Sequence, residues 1–203
     1  MSKSTDSDIL DYLSRPENIA LTFEIAGYMD RLRPRLLKEF WAALRDSIAA
    51  AHPANRECGN ITVEAPEDVL YEYASIHAWD ASNSGKKQWL RWCIQHQLPR
   101  GFDREYPFRI GLAWYNELKD ESLYEEPLIR KLRDRLCKEG YHCSWQWWPA
   151  GRELTSFSKA DTLLCEFKTS PDETLAPFVT AFWDLVADTE AEVAEINRLV
   201  ASR

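Results

Sequence analysis

The chain is expected to fold as α+β: helices packed on one mainly antiparallel sheet of about four to six strands. Three observations lead there. Residues 89–98 and 106–115 alternate apolar and polar side chains and are separated by Pro99 and Gly101, the pattern of an antiparallel hairpin. Two long segments, one ending near residue 52 and one beginning at Pro171, repeat apolar residues at three- and four-residue spacing, as amphipathic helices do. A shorter helical pattern lies between them, at 125–138, and the order of elements lacks the regular strand–helix alternation of a parallel sheet.

Taken in order, residues 1–15 read as a polar tail, with a short helical turn at 8–13. Residues 16–203 read as a single domain whose first part, 16–52, is helical. Pro16 suits a first helical turn. Ile19, Phe23, Ala26 and Met29 follow at helical spacing, and Pro34 is expected to end or kink that helix. Leu37, Trp41, Leu44 and Ile48, flanked by Leu36 and Phe40, form the stripe of the next helix. Residues 61–64 suit a short strand, 69–76 fit either strand or helix, and 80–87 read as an exposed loop. The 89–98 strand puts Leu90, Trp92, Ile94, His96 and Leu98 on one side. The 106–115 strand does the same with Phe108, Ile110, Leu112 and Trp114. Leu128, Ile129, Leu132 and Leu136 form the inner side of the middle helix, and Gly140 stands where a helix-terminating glycine is expected. Residues 141–148 read as a strand, Pro149 to Gly151 as a turn, 154–157 as a short strand and 162–168 as a strand. The final helix has Ser170 as N-cap, Pro171 at its first position and Glu173 in capping-box position. Its stripe runs Leu175, Phe178, Phe182, Leu185, Val186, Val193, Ile196 and Val200.

Composition narrows the functional classes. The 203 residues are 45% hydrophobic and 12% aromatic, with nine Trp, enough for one sizeable core. A formal net charge of −8 means that any nucleic-acid contact must come from a local patch. Five scattered cysteines and a polar N-terminus without an apolar leader core lead us to expect reduced thiols in a cytoplasmic protein, and no apolar run is long enough to span a membrane. Seven glycines and the lack of phosphate-cradling or nucleophile-elbow motifs argue against nucleotide and hydrolase chemistry. Cys137, His142 and Cys143 are close in sequence but lack the spacing of a zinc site, and no cofactor is expected.

The tract 161–170 carries the sharpest chemical reading. On a strand, Glu166 and Lys168 share a face. A carboxylate and a lysine so placed can hold Mg²⁺ and orient an attacking water at a phosphodiester, given a second carboxylate from Glu153 or Asp161. The order helix, strand, turn, strand, helix over 124–195, with this E-x-K pair, resembles the core of PD-(D/E)XK nucleases. The resemblance implies a Mg²⁺-dependent nuclease using Glu166, Lys168 and Glu153. The bland reading is a solvated ion pair at the end of a strand.

A second resemblance spans about residues 36–200. It rests on Phe40 and Trp41 opening a helix, the aromatic strand from Pro107 to Leu112, the Trp-rich segment 144–148, and Phe182-Trp183 in the last helix. The arrangement is similar to the C-terminal accessory domain of bacterial and phage PD-(D/E)XK-type and restriction-associated proteins. It implies a non-enzymatic partner-binding module in a DNA-associated or phage-defence setting, and this is the leading expectation.

Binding residues follow from the same reading. Lys86, Lys87, Trp89 and Arg91, continued by Arg100 and Arg104, interleave cations and aromatics as single-stranded nucleic-acid binders do, although a core strand with solvated cations produces the same pattern. Trp148, if exposed, would mark a protein partner site. Arg31, Arg33, Arg35 and Lys38 form another basic cluster, read as the solvent side of a helix. Self-association through Val193, Ile196 and Val200 of the last helix is the further alternative.

Overall fold

A computed structural model describes residues 3–52, 61–71, 73–80, 90–96, 105–115, 121–143 and 148–202. The elements are α1 (Lys3–Leu13), α2 (Ile19–Ala50), β1 (Ile61–Glu64), β2 (Ser75–Asp80), β3 (Leu90–His96), β4 (Tyr106–Trp114), α3 (Pro127–Lys138), β5 (Ala150–Phe157), α4 (Ala160–Thr169) and α5 (Pro171–Ala201), with a 3-10 turn at Glu121–Glu125. The five strands form one antiparallel meander in the order β1-β2-β3-β4-β5. The expected α+β architecture is therefore observed, including the N-terminal helices, the hairpin, the middle helix and the long last helix.

Strand alternation sends Ile76, Ala78, Leu90, Trp92, Ile94, Phe108, Ile110 and Leu112 to one face, and the pairs Ile76–Ile94, Ile94–Ile110 and Trp92–Leu112 carry that face across the sheet. Onto it pack α5 over β3 and β4, α2 beside α5, and α4 between them and β5. Phe40, Phe108, Phe167 and Phe178 meet edge to face, with ring centroids 4.9–5.8 Å apart.

Two polar ties fix α5 on the sheet and on α2: the Trp92 indole N–H donates to Thr189 Oγ1 at 2.9 Å, and the Trp183 indole N–H donates to Ile48 O at 3.1 Å. The buried His96 ring is held from both sides. A carbonyl can only accept, so Nε2–H donates to Tyr71 O at 3.1 Å, and Nδ1 is left to accept from the Tyr106 hydroxyl.

Several local expectations are corrected. Residues 160–169 are a helix, not a strand. Ala160, Leu163, Leu164 and Phe167 are its buried side, at spacings of three and four residues, and over ten residues that period competes evenly with strict alternation. Pro34 lies inside α2 and does not end it. Both sides of the proline are pinned: Arg33 makes two hydrogen bonds to Asp161, at 2.8 and 2.7 Å, and Leu37 is fully buried. Helix α1 takes up most of the expected N-terminal tail.

The expected turn at Pro149 to Gly151 is the start of β5. Gly151 stands opposite Gly111, and a Cβ on Gly111 would lie 2.1 Å from Ala150 O. The glycines there serve a close backbone approach. The strand expected at 141–148 is reduced to a single bridge between His142 and Gly151, and 144–147 lie outside the described residues. Gly140 does take the positive φ, +89°, that ends α3. That reversal brings Cys137 and Cys143 to a Cα separation of 6.0 Å, where they form a disulfide. The expectation of reduced thiols is thus corrected for this pair, whose sulfurs are committed to each other and not to a metal.

Candidate functional site

The nuclease constellation is not assembled. On α4, residues two apart point roughly 200° apart around the axis, so Glu166 and Lys168 do not share a face. Lys168 reaches across to α2 and pairs with Glu39 at 3.2 Å. The bonds from Lys168 and Arg35 hold the Glu39 carboxyl below its usual range. Asp161 is bound by Arg33, which lowers its pKa likewise. Glu153 is the cross-strand register neighbour of Arg109, which lies between Phe108 and Ile110, and so stands on the sheet face turned away from α4. The order over 124–195 is helix, strand, helix, helix, which departs from the nuclease core. The proposed Mg²⁺ ligands and lysine therefore sit in separate places.

Of the nucleic-acid residues, Lys86, Lys87, Trp89, Arg100 and Arg104 lie outside the described residues. Arg91 is buried. Its guanidinium lies 4.8 Å from the centre of the Tyr115 ring and donates to Tyr115 O at 3.4 Å. Trp148 is also buried, packed with Cys93 and Ala113. Neither presents a free surface: Arg91, Cys93 and Ala113, on the sheet face away from the helices, are buried, as is Trp148.

That second face has its own polar cluster. Ser75 and His77, two apart on β2, share it, and Ser75 Oγ lies 2.7 Å from His77 Nε2. Cys93 is the cross-strand partner of His77. A hydroxyl or thiol beside an imidazole is the raw material of nucleophilic catalysis. Here burial works against it. It pushes the Cys93 thiol up to about 12, and burial, helped by Arg91, holds the His77 pKa well below the histidine range. His77 Nδ1 has no hydrogen-bond partner among the described residues, so no third group orients the ring as a base. Glu64 is the other cross-strand neighbour of His77. With Ser75 and Cys93 buried and His77 half-buried, the hydroxyl and the thiol are closed to a substrate.

A groove of about 530 Å³ runs along α3 past Arg130, Lys131, Asp134 and Lys138. Its arginines are already neutralised: Arg130 pairs with Glu125, and Arg135 with Asp188, Glu192 and Glu139.

The surface that stands out is the N-terminal arm. Every buried residue of α2 lies at or beyond Leu37, and none of residues 7–36 is buried. Among the described residues, eight of the twelve strongly exposed large hydrophobic side chains fall between Ile9 and Leu32. Leu21, Ile25, Tyr28 and Leu32 are 57%, 51%, 56% and 42% exposed. Their spacing of four, three and four residues lines them up on one side of the helix. Phe23, 71% exposed, is on the other side. The arm is joined to α1 by a tight turn, in which Asn18 Nδ2 donates to Tyr12 O at 2.8 Å and Thr22 Oγ1 donates to Leu13 O at 3.1 Å. Sequence reading picked out Ile19, Phe23, Ala26 and Met29 at helical spacing and missed the 21-25-28-32 stripe. The signal was present, since the segment is apolar on two sides, too many for one core contact.

The self-association stripe expected on the last helix is corrected: Val193 and Ile196 are buried in the protein's own core. Among the described residues no helix is long and apolar enough to cross a membrane. No protein-family model, curated protein or solved structure matches this chain.

Proposed function

We propose that the chain is a non-enzymatic partner-binding protein whose recognition surface is the N-terminal helical arm. The observation that carries this reading is the concentration of exposed apolar side chains on an arm with no buried residue among residues 7–36. An apolar stripe of this size on a monomer's surface is characteristic of a protein–protein contact. A helix presenting anchors at spacings of three and four suits a helix-in-groove or helix-pair contact. The resemblance to restriction-associated accessory domains makes proteins of DNA-handling or defence systems the first partners to test.

The test is affinity purification of the tagged chain from its native host, with a differently tagged second copy co-expressed, comparing wild type with Ile25→Asp/Tyr28→Asp. The expected result is a stoichiometric protein partner, which is either the second copy or another protein, recovered with wild type and lost with the variant at unchanged helix content. Equal recovery with both proteins, or no partner with either, overturns the reading.

A further inference from the structure

The charges beside the stripe say what its partner is. At seven-residue spacing along one side of Leu21, Ile25, Tyr28 and Leu32 stand Glu24, Arg31 and Lys38. The amino-terminal end of this row is acidic and the carboxy-terminal end is basic. Such a row is complementary to itself when reversed. Glu24 accepts a bond from the Tyr28 hydroxyl at 3.4 Å. Arg31 donates to Gly27 O at 3.3 Å, with its guanidinium 4.8 Å from the centre of the Tyr28 ring. Both contacts are local to the arm, and neither puts Glu24 or Arg31 into an ion pair with the folded domain. The neighbouring cations are used differently: Arg33 is bound to Asp161 and Arg35 to Glu39.

Resting on the partner-binding reading above, we infer that the arm's partner is a second copy of this chain, paired antiparallel. In that pairing Ile25 of each copy packs against Tyr28 of the other and Leu21 against Leu32, with Glu24 facing Arg31. These contacts share one register and repeat twice about the two-fold axis, as an isologous interface requires. In a parallel pair the acidic and basic residues of this row would not meet one another.

The area sets the strength. The stripe exposes roughly 400 Å² of side chain per copy, so two copies remove on the order of 800 Å² from water, the scale of a weak, concentration-dependent contact. The antiparallel pair sets the two globular domains at its opposite ends.

The test is sedimentation velocity on the purified full chain from roughly 1 to 100 µM, a range that spans micromolar affinities. Wild type is expected to dimerise, with affinity falling as salt rises. Ile25→Asp should abolish the dimer. Glu24→Lys and Arg31→Glu should each weaken it roughly tenfold, because each puts like charges opposite at two symmetric places. The double variant E24K/R31E should return to within about threefold of wild type, because both pairs are restored in reverse. A wild type that stays monomeric throughout overturns the inference. So does a dimer indifferent to Ile25→Asp, or one in which the double variant is as weak as the worse single variant. A monomer that still captures another protein through Ile25 and Tyr28 overturns this inference alone and leaves the partner-binding reading standing.

Discussion

Asn197 holds both backbone polar groups of Leu90: its Nδ2 donates to Leu90 O at 2.8 Å, and the Leu90 N–H donates to its Oδ1 at 2.6 Å. The β2–β3 pairing ends at Ala78 and Trp92, and the side-chain amide takes up the backbone just beyond it. Asn197 is itself buried, which explains a polar residue on the inner side of α5 between Ile196 and the partly buried Val200.

Replacing that amide with a hydrocarbon of similar size strands two buried backbone groups. Asn197→Leu is expected to cost about 2–4 kcal/mol, from two unsatisfied groups at roughly 1–3 kcal/mol each, partly offset by apolar burial. Urea denaturation measures it. A cost below about 0.5 kcal/mol would mean that the amide is not a structural tie.

Gly111→Ala tests the close approach of β4 and β5. The new methyl would meet backbone atoms, Ala150 O at 2.1 Å and Gly151 Cα at 2.7 Å, so no side chain can move aside for it. The expected loss is several kcal/mol, a fall in melting temperature of roughly 10 °C for a chain of this size. An unchanged melting temperature would show that the strands do not cross as described.

Stability should fall with acidity above the carboxylate range. Burial holds the folded-state pKa of His96 down to about 4, against about 6.5 when unfolded. The unfolded chain therefore takes up the proton first. Stability is lost as the pH drops from about 6.5 towards about 4 and levels off below, by on the order of 3 kcal/mol for this group. His77 acts in the same direction. Urea midpoints between pH 7.5 and 4.5 should show the decline, and His96→Gln should flatten it. A slope identical in the variant would remove His96 as its source.

Thiol reactivity separates the two free cysteines of the described residues. Cys165 is exposed on α4, whereas Cys93 is buried with its thiol pushed up to about 12. Iodoacetamide at neutral pH should modify Cys165 quickly and Cys93 only after unfolding, as read by peptide mass spectrometry. Fast modification of Cys93 in the folded protein would reopen the Ser75, His77 and Cys93 cluster as a chemical site.

Where one period dominated, the sequence was sufficient. The β3–β4 hairpin, α3 with Gly140, and the stripe of α5 follow from alternation or three-four spacing, and each has the expected side buried. Where two periods competed, in the ten residues of α4, strand logic put Glu166 and Lys168 on one face and manufactured a catalytic edge. The helix removes it and turns Lys168 into a tie to Glu39. Pro34 and Gly151 misled because punctuation residues have second uses: a proline inside a helix pinned on both sides, and a glycine at a close strand crossing. The arm stripe was hidden for another reason. Periodicity shows that a helix has an apolar side, but not whether the rest of the chain covers it.

The central claim, that the exposed arm is the working surface, is met most directly by hydrogen–deuterium exchange on the full chain, alone at low concentration and in complex with whatever it binds, a second copy included. The account predicts that complex formation slows the amides of residues 19–32 at least roughly tenfold and leaves β3 and β4 unchanged. Unchanged exchange in the arm, with protection gained on α3 or at the sheet, would contradict it.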